Sequence, residues 1–238
     1  MATGEIGPKP LISIWDVETM ESVKTFNAPL QKGIQHLAFS PSGKFLAASA
    51  MDDNHNLAVY EWQKTGKKKK GTGSEPALIC NGKGTAAKIL SLTFNNSEDT
   101  IAATAIKEVK FFSFDKATPK PKTGTGWGKK VDHQAVLCGA YVGDVFISGL
   151  FNGDILKWSG TRIGKNIEAH TKSCTSLYVR KSTPGFISGG KDGKVIIWAQ
   201  SFTKSKVIDL HDPAVNSYIP ECRSVCENDS GSMILVGT

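Results

Sequence analysis

Residues 186–198 read Phe-Ile-Ser-Gly-Gly-Lys-Asp-Gly-Lys-Val-Ile-Ile-Trp, and this stretch decides the fold. Apolar residues alternate at its start, Asp192 and Gly193 follow, and a run of β-branched residues leads to Trp198. Alternation predicts strands, and an Asp-Gly pair between two apolar runs predicts the tight turn of a β-hairpin. The stretch is therefore predicted to be two antiparallel strands joined by a short turn.

The same pattern recurs through the chain. Residues 146–158 read Phe-Ile-Ser-Gly-Leu-Phe-Asn-Gly-Asp-Ile-Leu-Lys-Trp, 40 positions before the first stretch, and weaker copies lie at residues 45–60 and 100–112. The aromatic residue that ends each copy recurs at intervals of 40 to 52 residues, at Trp15, Tyr60, Phe112, Trp158 and Trp198. A WD repeat spans about 40–45 residues and forms one four-stranded blade. The spacing therefore predicts a WD-repeat β-propeller.

The predicted fold class is all-β, an incomplete propeller of about five blades in a single domain over residues 1–238. The predicted repeat units are residues 1–31, 32–82, 83–131, 132–170 and 171–212, with a partial unit at 213–238. In an alternative arrangement, residues 224–227 pair with the N-terminal strands and close a five-bladed ring. Such a ring lies within the range of about four to eight blades in propellers.

The charge of the chain favours an acidic partner. Its net charge is +7, with 29 Lys and Arg against 22 Asp and Glu. Only Arg162, Arg180 and Arg223 are arginines, whereas base-specific contacts to nucleic acid usually depend on that residue. We therefore expect no specific nucleic-acid partner. No apolar run reaches the length of a membrane span, so we also expect no membrane partner and a cytoplasmic location.

Two sets of polar residues are candidate structural staples. In WD repeats, a histidine before the inner strand, a serine or threonine, a turn aspartate and the anchor tryptophan form one hydrogen-bonded chain. The first set is His170, Ser188, Asp192 and Trp198, and the variant set is His133, Ser148, Asn152 and Trp158. A Ser-His-Asp grouping also resembles a hydrolase triad. Because the grouping repeats, we interpret it as structural and expect no catalytic residues, metal or cofactor.

Two inserts are rich in lysine. Residues 64–74 include the consecutive Lys67, Lys68, Lys69 and Lys70, which are either a solvated hairpin tip or a contact for an acidic partner. Residues 116–130 are rich in Lys, Pro and Gly, and we expect them to be irregular. Trp127 lies in this second insert, so we expect its replacement to cost little stability.

Several stretches resemble the echinoderm microtubule-associated protein-like (EMAP-like) family of atypical WD-repeat proteins. They are residues 2–7 with 14–16, 36–40, 52–55 with 60–62, 188–192 and 233–238. The Asp-Asp-Asn-His turn at 52–55, followed by Trp62 two places after the anchor, is the most telling of them. The resemblance implies tandem propellers and association with microtubules, often in cilia or mitotic arrays.

Three functions follow from these observations. The first is a non-catalytic, microtubule-associated module of the cytoskeleton or cilium, whose partners are tubulin or other cytoskeletal proteins. The second is a general WD-repeat scaffold in a ciliary or signalling complex without direct tubulin contact. The third is a propeller enzyme with an axial carboxylate or metal cluster, for which the inner strands offer almost no acidic or histidine residues.

Overall fold

A computed structural model of the chain describes residues 1–65, 75–212, 214 and 219–238. All 21 regular elements of this part are β-strands, and adjacent strands within each sheet are antiparallel. No helix long and apolar enough to cross a bilayer occurs among the described residues.

The first eleven strands form three sheets. Their order is β1-β2-β3, then β4-β5-β6-β7, then β8-β9-β10-β11. Their bounds are β1 Ala2–Gly4, β2 Leu11–Trp15, β3 Ser22–Asn27, β4 Ile34–Phe39, β5 Phe45–Ala50, β6 Leu57–Thr65, β7 Pro76–Gly82, β8 Ile89–Phe94, β9 Thr100–Ala105, β10 Glu108–Ser113 and β11 Lys120–Thr123.

The other ten strands form two four-stranded sheets and one two-stranded sheet. Their order is β12-β13-β14-β15, then β16-β17-β18-β19, then β20-β21. Their bounds are β12 Val136–Val142, β13 Val145–Leu150, β14 Ile155–Ser159, β15 Arg162–Ile167, β16 Cys174–Val179, β17 Gly185–Gly190, β18 Lys194–Ala199, β19 Lys204–Asp209, β20 Ser224–Glu227 and β21 Ile234–Gly237.

The chain contains two compact units, residues 1–105 with 110–123 and residues 106–109 with 124–238. The first has apolar clusters around Ile12, Leu46 and Tyr60 and around Val59, Ile101 and Phe112. The core of the second includes Ile147, Ile155, Phe186, Ile196 and Trp198. In the four-stranded sheets, the second and third strands are largely buried, because each lies between two others.

Turn glycines allow the hairpins of the two strongest repeats. Gly153 and Gly193 have φ angles of +102° and +74°, which L side chains rarely adopt. Gly193 N also donates to the Gly190 carbonyl oxygen at 3.2 Å and closes the turn between β17 and β18. The Asn-Gly and Asp-Gly pairs therefore provide the backbone conformation that the hairpins require.

One expectation and one alternative about strands differ from the structure. Residues 116–130 are not all irregular, because β11 pairs with β10 from Lys110↔Thr123 to Ser113↔Lys120. Pro121 lies in an edge strand, which is where proline occurs within sheets. Ser224–Glu227, which the five-bladed ring would pair with the N-terminal strands, instead pairs with β21.

Candidate functional site

Four buried side chains form a continuous chain in the sheet of β16 to β19. His170 Nδ1 lies 3.0 Å from Asp192 Oδ1, and His170 Nε2 lies 2.8 Å from Ser188 Oγ. The indole Nε1 of Trp198 donates to the same Ser188 Oγ at 2.9 Å. All four residues are at most 8% exposed. The structure thus brings the whole first predicted set together.

The hydrogen bonds of this chain have one consistent direction. Ser188 Oγ accepts the indole N–H, so its own proton is available to His170 Nε2, and Nδ1 then donates to Asp192. Burial lowers the pKa of His170, and the charge of Asp192 opposes this shift. The imidazole is therefore neutral at pH 7. Asp192 Oδ2 also accepts the backbone N–H of Thr171 at 3.0 Å, which ties the preceding loop to the turn.

The same three residues have the order of a hydrolase triad, Asp to His to Ser. A nucleophilic serine must reach a substrate. Ser188 is fully buried, and its Oγ accepts a hydrogen bond from the Trp198 indole. This geometry can hold strands together, but it presents no accessible nucleophile, so it supports the staple interpretation.

Gly190 makes room for the histidine. A Cβ atom at this position would overlap the His170 ring and the Asp192 carboxylate. Any side chain at position 190 would therefore push the imidazole out of the chain. The second glycine of the Gly-Gly pair in residues 186–198 is thus part of the staple, although the sequence analysis did not single it out.

The variant set is only half assembled. Trp158 Nε1 donates to Ser148 Oγ at 3.0 Å, as Trp198 does to Ser188. His133, however, lies elsewhere, with its Nδ1 3.1 Å from the Lys107 carbonyl oxygen. The prediction that His133 joins this chain is therefore wrong.

The residue that replaces Gly190 explains the difference. Leu150 pairs with Val136 in β12 as Gly190 pairs with Cys174 in β16, so Leu150 and Gly190 hold equivalent places. Leu150 is fully buried, and its side chain excludes an imidazole from that place. The turn residue Asn152 is held differently, because its backbone N–H donates to Gln134 Oε1 at 2.8 Å.

His133 instead belongs to an aromatic cluster with Trp127. The two rings stack with centroids 5.3 Å apart, and Trp127 also meets the edge of Trp158 at 6.1 Å. Gly124 lies so close to the Trp158 ring that a Cβ there would be only 2.6 Å from it. Gly124 and Trp127 therefore pack on the blade, and Trp127 is half-buried rather than free in an irregular insert.

We now expect Trp127→Ala to lower the free energy of unfolding by about 1–2 kcal/mol, because each aromatic contact contributes about 0.5–1.5 kcal/mol beyond its buried area. Urea denaturation of the full chain measures this loss. Lys129→Ala, two residues away and exposed, is the matched control and should be close to neutral. Equal stability of Trp127→Ala and the parent would show that the stack contributes nothing.

The lysine run of the first insert lies outside the described residues. The structure does not describe Lys67, Lys68, Lys69 and Lys70. Their predicted contact with an acidic partner therefore stays a prediction. Among the described residues there is no cluster of three or more His, Cys, Asp or Glu side chains that could hold a metal ion.

The buried thiols are poor nucleophiles. Burial raises the pKa of Cys80 to about 12 and that of Cys222 to about 11. Cys174 is also buried, and its pKa is raised by a hydrogen bond with Cys138 and by desolvation. Because the thiolate is the reactive form, these cysteines behave as small core residues.

Known proteins resemble the chain along its whole length. It is 26% identical to echinoderm microtubule-associated protein-like 4 of Xenopus laevis over 100% of the chain and 27% of that protein. It is 28% identical to the ciliary WD repeat-containing protein ctxp80 of Euplotoides octocarinatus over 88% of the chain and 28% of that protein. The chain therefore spans about a quarter of the length of these curated relatives.

A solved structure and a family model agree on the architecture. A chain in the crystal structure of the mitotic checkpoint complex superposes with a TM-score of 0.72 over 99% of this chain and 67% of that one, at 16% identity. This likeness shows the fold alone. The model of the echinoderm microtubule-associated protein first β-propeller matches residues 1–238. The predicted WD-repeat propeller is confirmed, and the chain belongs to the echinoderm microtubule-associated protein family.

Proposed function

We propose that this chain is a non-catalytic binding module that associates with microtubules in the cytoskeleton or cilium. The match of residues 1–238 to the family's first propeller carries the proposal. Two relatives are named for microtubule association and for the cilium, respectively. A net charge of +7 suits the acidic C-terminal tails of tubulin.

The described side chains favour binding over catalysis. The one grouping in triad order has a fully buried serine, His170 is neutral, and the pKa of the buried thiol of Cys80 is raised by burial. Antiparallel sheets in a chain with a net charge of +7 can present contacts without any reacting group. We therefore place the function in recognition, with Lys67, Lys68, Lys69 and Lys70 as candidate contacts for the acidic partner.

If these lysines contact tubulin tails, changing all four to Ser should weaken co-sedimentation with microtubules by about tenfold at low salt, since each exposed charge pair contributes up to about 1 kcal/mol. Binding of the parent should also fall as salt rises, because exposed charges are screened over about 8 Å at physiological ionic strength. Protease removal of the tubulin tails should reproduce the effect of the quadruple change.

The matched control removes the same charge elsewhere, at the exposed Lys9, Lys120, Lys122 and Lys206. It should bind better than the first variant, and both should melt at the temperature of the parent. Equal loss in both variants would mean that net charge alone drives binding. Full binding by the first variant would remove the lysine run from the contact.

A scaffold without direct tubulin contact is the second candidate. It is favoured by the length of the relatives, since this chain spans only 27% of one of them and other parts could hold the tubulin contact. No co-sedimentation of the parent chain at low salt would put this candidate first.

A further inference from the structure

The outer edge of β15, in the second compact unit, already accepts one extended segment. Thr125 N donates to the Thr161 carbonyl oxygen at 2.9 Å, and Ile163 N donates to the Thr125 carbonyl oxygen at 2.9 Å. Thr125 and Arg162 thereby form an isolated parallel bridge. This edge of the blade is therefore competent for strand addition.

The segment occupies only the start of that edge. Gly126 and Gly128, with φ angles of +104° and +74°, turn the chain away after Thr125. Beyond Ile163, the outer edge of β15 makes no further backbone-to-backbone hydrogen bond within the part of the chain that the structure describes. Edge strands with free N–H and C=O groups pair readily with another extended chain.

Cations flank this edge on both sides. Arg162 and Lys165 project from β15, and Lys129 and Lys130 lie on the adjoining segment, and all four are exposed. Lys130 Nζ also donates to the Gly164 carbonyl oxygen, which keeps this lysine beside β15. The nearby stretches 124–133 and 159–168 contain just two acidic residues against these four basic ones. The edge is therefore positively charged.

An aromatic face adjoins the cations. Trp127 is half-buried and stacks on the exposed ring of His133. Its indole Nε1 is buried and has no hydrogen-bond partner among the described residues. Buried donors are rarely left unpaired in folded proteins. Because this atom is sealed from solvent, it offers no contact to a bound peptide, and only the exposed part of the Trp127 side chain can adjoin one.

We propose that this β15 edge patch, formed by Trp127, Lys129, Lys130, Arg162 and Lys165, binds an extended acidic peptide segment by strand addition. The peptide backbone pairs with the edge beyond Gly164, whose own carbonyl oxygen already accepts from Lys130 Nζ. The carboxylates of the peptide meet the cations, and its side chains adjoin the exposed part of Trp127. A nucleic acid would satisfy the charges but not the amide pattern of a strand edge. The patch contains none of the lysines at 67–70, so the proposal does not depend on microtubule binding by that run.

The test is fluorescence anisotropy with a short labelled peptide in which glutamate alternates with valine. Alternation places the carboxylates on one face of an added strand. We expect Arg162→Ser with Lys165→Ser to weaken binding by about tenfold, from two lost charge contacts. Lys120→Ser with Lys122→Ser removes the same charge from the edge strand β11 and should change binding by less than about twofold.

A second probe separates strand addition from diffuse charge attraction. The same peptide with alternate backbone amides N-methylated has equal charge but cannot pair, so we expect it to bind about tenfold more weakly. Equal binding of the two peptides would overturn the proposal. Equal loss of peptide affinity in the two double variants would also overturn it. Tighter binding of oligothymidylate than of the peptide would do the same. Melting temperatures like that of the parent confirm that each variant is folded.

Discussion

Replacing Trp198 by alanine is expected to lower the free energy of unfolding by about 3–5 kcal/mol, the usual range when a buried Phe or Trp is truncated. Trp198 is 1% exposed, and its ring stacks on Phe186 with centroids 5.4 Å apart and an interplanar angle of 6°. The Lys204 ammonium lies 5.6 Å from the ring centroid on the neighbouring edge strand. Truncation therefore opens a cavity between strands that the ring now holds together.

The change also breaks the hydrogen-bonded chain. Ser188 Oγ loses the indole donor at 2.9 Å, and the serine is fully buried, so no solvent replaces it. Trp198→Phe isolates this part, because it keeps most of the ring volume and removes the N–H. We expect it to cost about 0.5–1.5 kcal/mol, the net contribution of one hydrogen bond, since Ser188 Oγ keeps its bond to His170 Nε2.

Urea denaturation of the parent, Trp198→Ala, Trp198→Phe and Trp127→Ala gives the four values side by side. We expect Trp198→Ala to lose more unfolding free energy than Trp127→Ala, because Trp127 is only half-buried. Losses of equal size for Trp198→Ala and Trp127→Ala would show that the anchor tryptophan has no special place in the repeat.

Repeat spacing predicted the first staple because it depends on local patterns. Ser188 pairs with Ile196 and lies diagonally from Trp198 in one hairpin, and Asp192 lies in its turn. A single stretch of sequence therefore specifies three of the four positions. His170 joins them through a short loop before β16. When all four residues lie in one hairpin and the loop before it, sequence periodicity is sufficient to predict which side chains come together.

Repeat spacing does not predict the place of His133, because the volume of a neighbouring side chain decides it. A histidine at a similar distance before the inner strand was expected to join Ser148, but Leu150 stands where Gly190 makes room in the next blade. The signal was present, since residues 149–150 read Gly-Leu and residues 189–190 read Gly-Gly. The effect of this difference becomes clear only from the strand register, which pairs Gly190 with Cys174 and Leu150 with Val136.

Contacts between sheets could not be predicted from the repeat. Trp127 was placed in an irregular insert, yet it stacks on His133 and meets Trp158. Arg180 and Glu227 are 47 residues apart and are brought together only when β20 lies beside β16. Period and composition say which residues share a blade, but not which side chains of adjacent sheets touch.

The ion pair between Arg180 and Glu227 gives the second prediction of a large loss of stability. Arg180→Met is expected to destabilise the chain by about 3–5 kcal/mol, because it leaves a buried carboxylate without its counter-ion. Glu227 has a side chain only 1% exposed, and Arg180 donates to its Oε1 from Nε at 2.8 Å and from an Nη at 2.6 Å. Without the guanidinium, the side chain keeps one hydrogen bond, from Ser182 Oγ to Oε2 at 3.1 Å.

A neighbouring ion pair provides the control. Lys181 lies 3.7 Å from Asp229, but the two side chains are 72% and 95% exposed. Lys181→Met removes the same charge one residue away and should cost less than about 1 kcal/mol, as exposed pairs do. Adding Glu227→Gln to Arg180→Met should recover about 1–3 kcal/mol, since the two residues are in direct contact and the uncompensated charge is gone. Denaturation of the four proteins measures both differences. Equal losses for Arg180→Met and Lys181→Met, or no recovery in the double variant, would show that burial of the carboxylate does not set the energy of this contact.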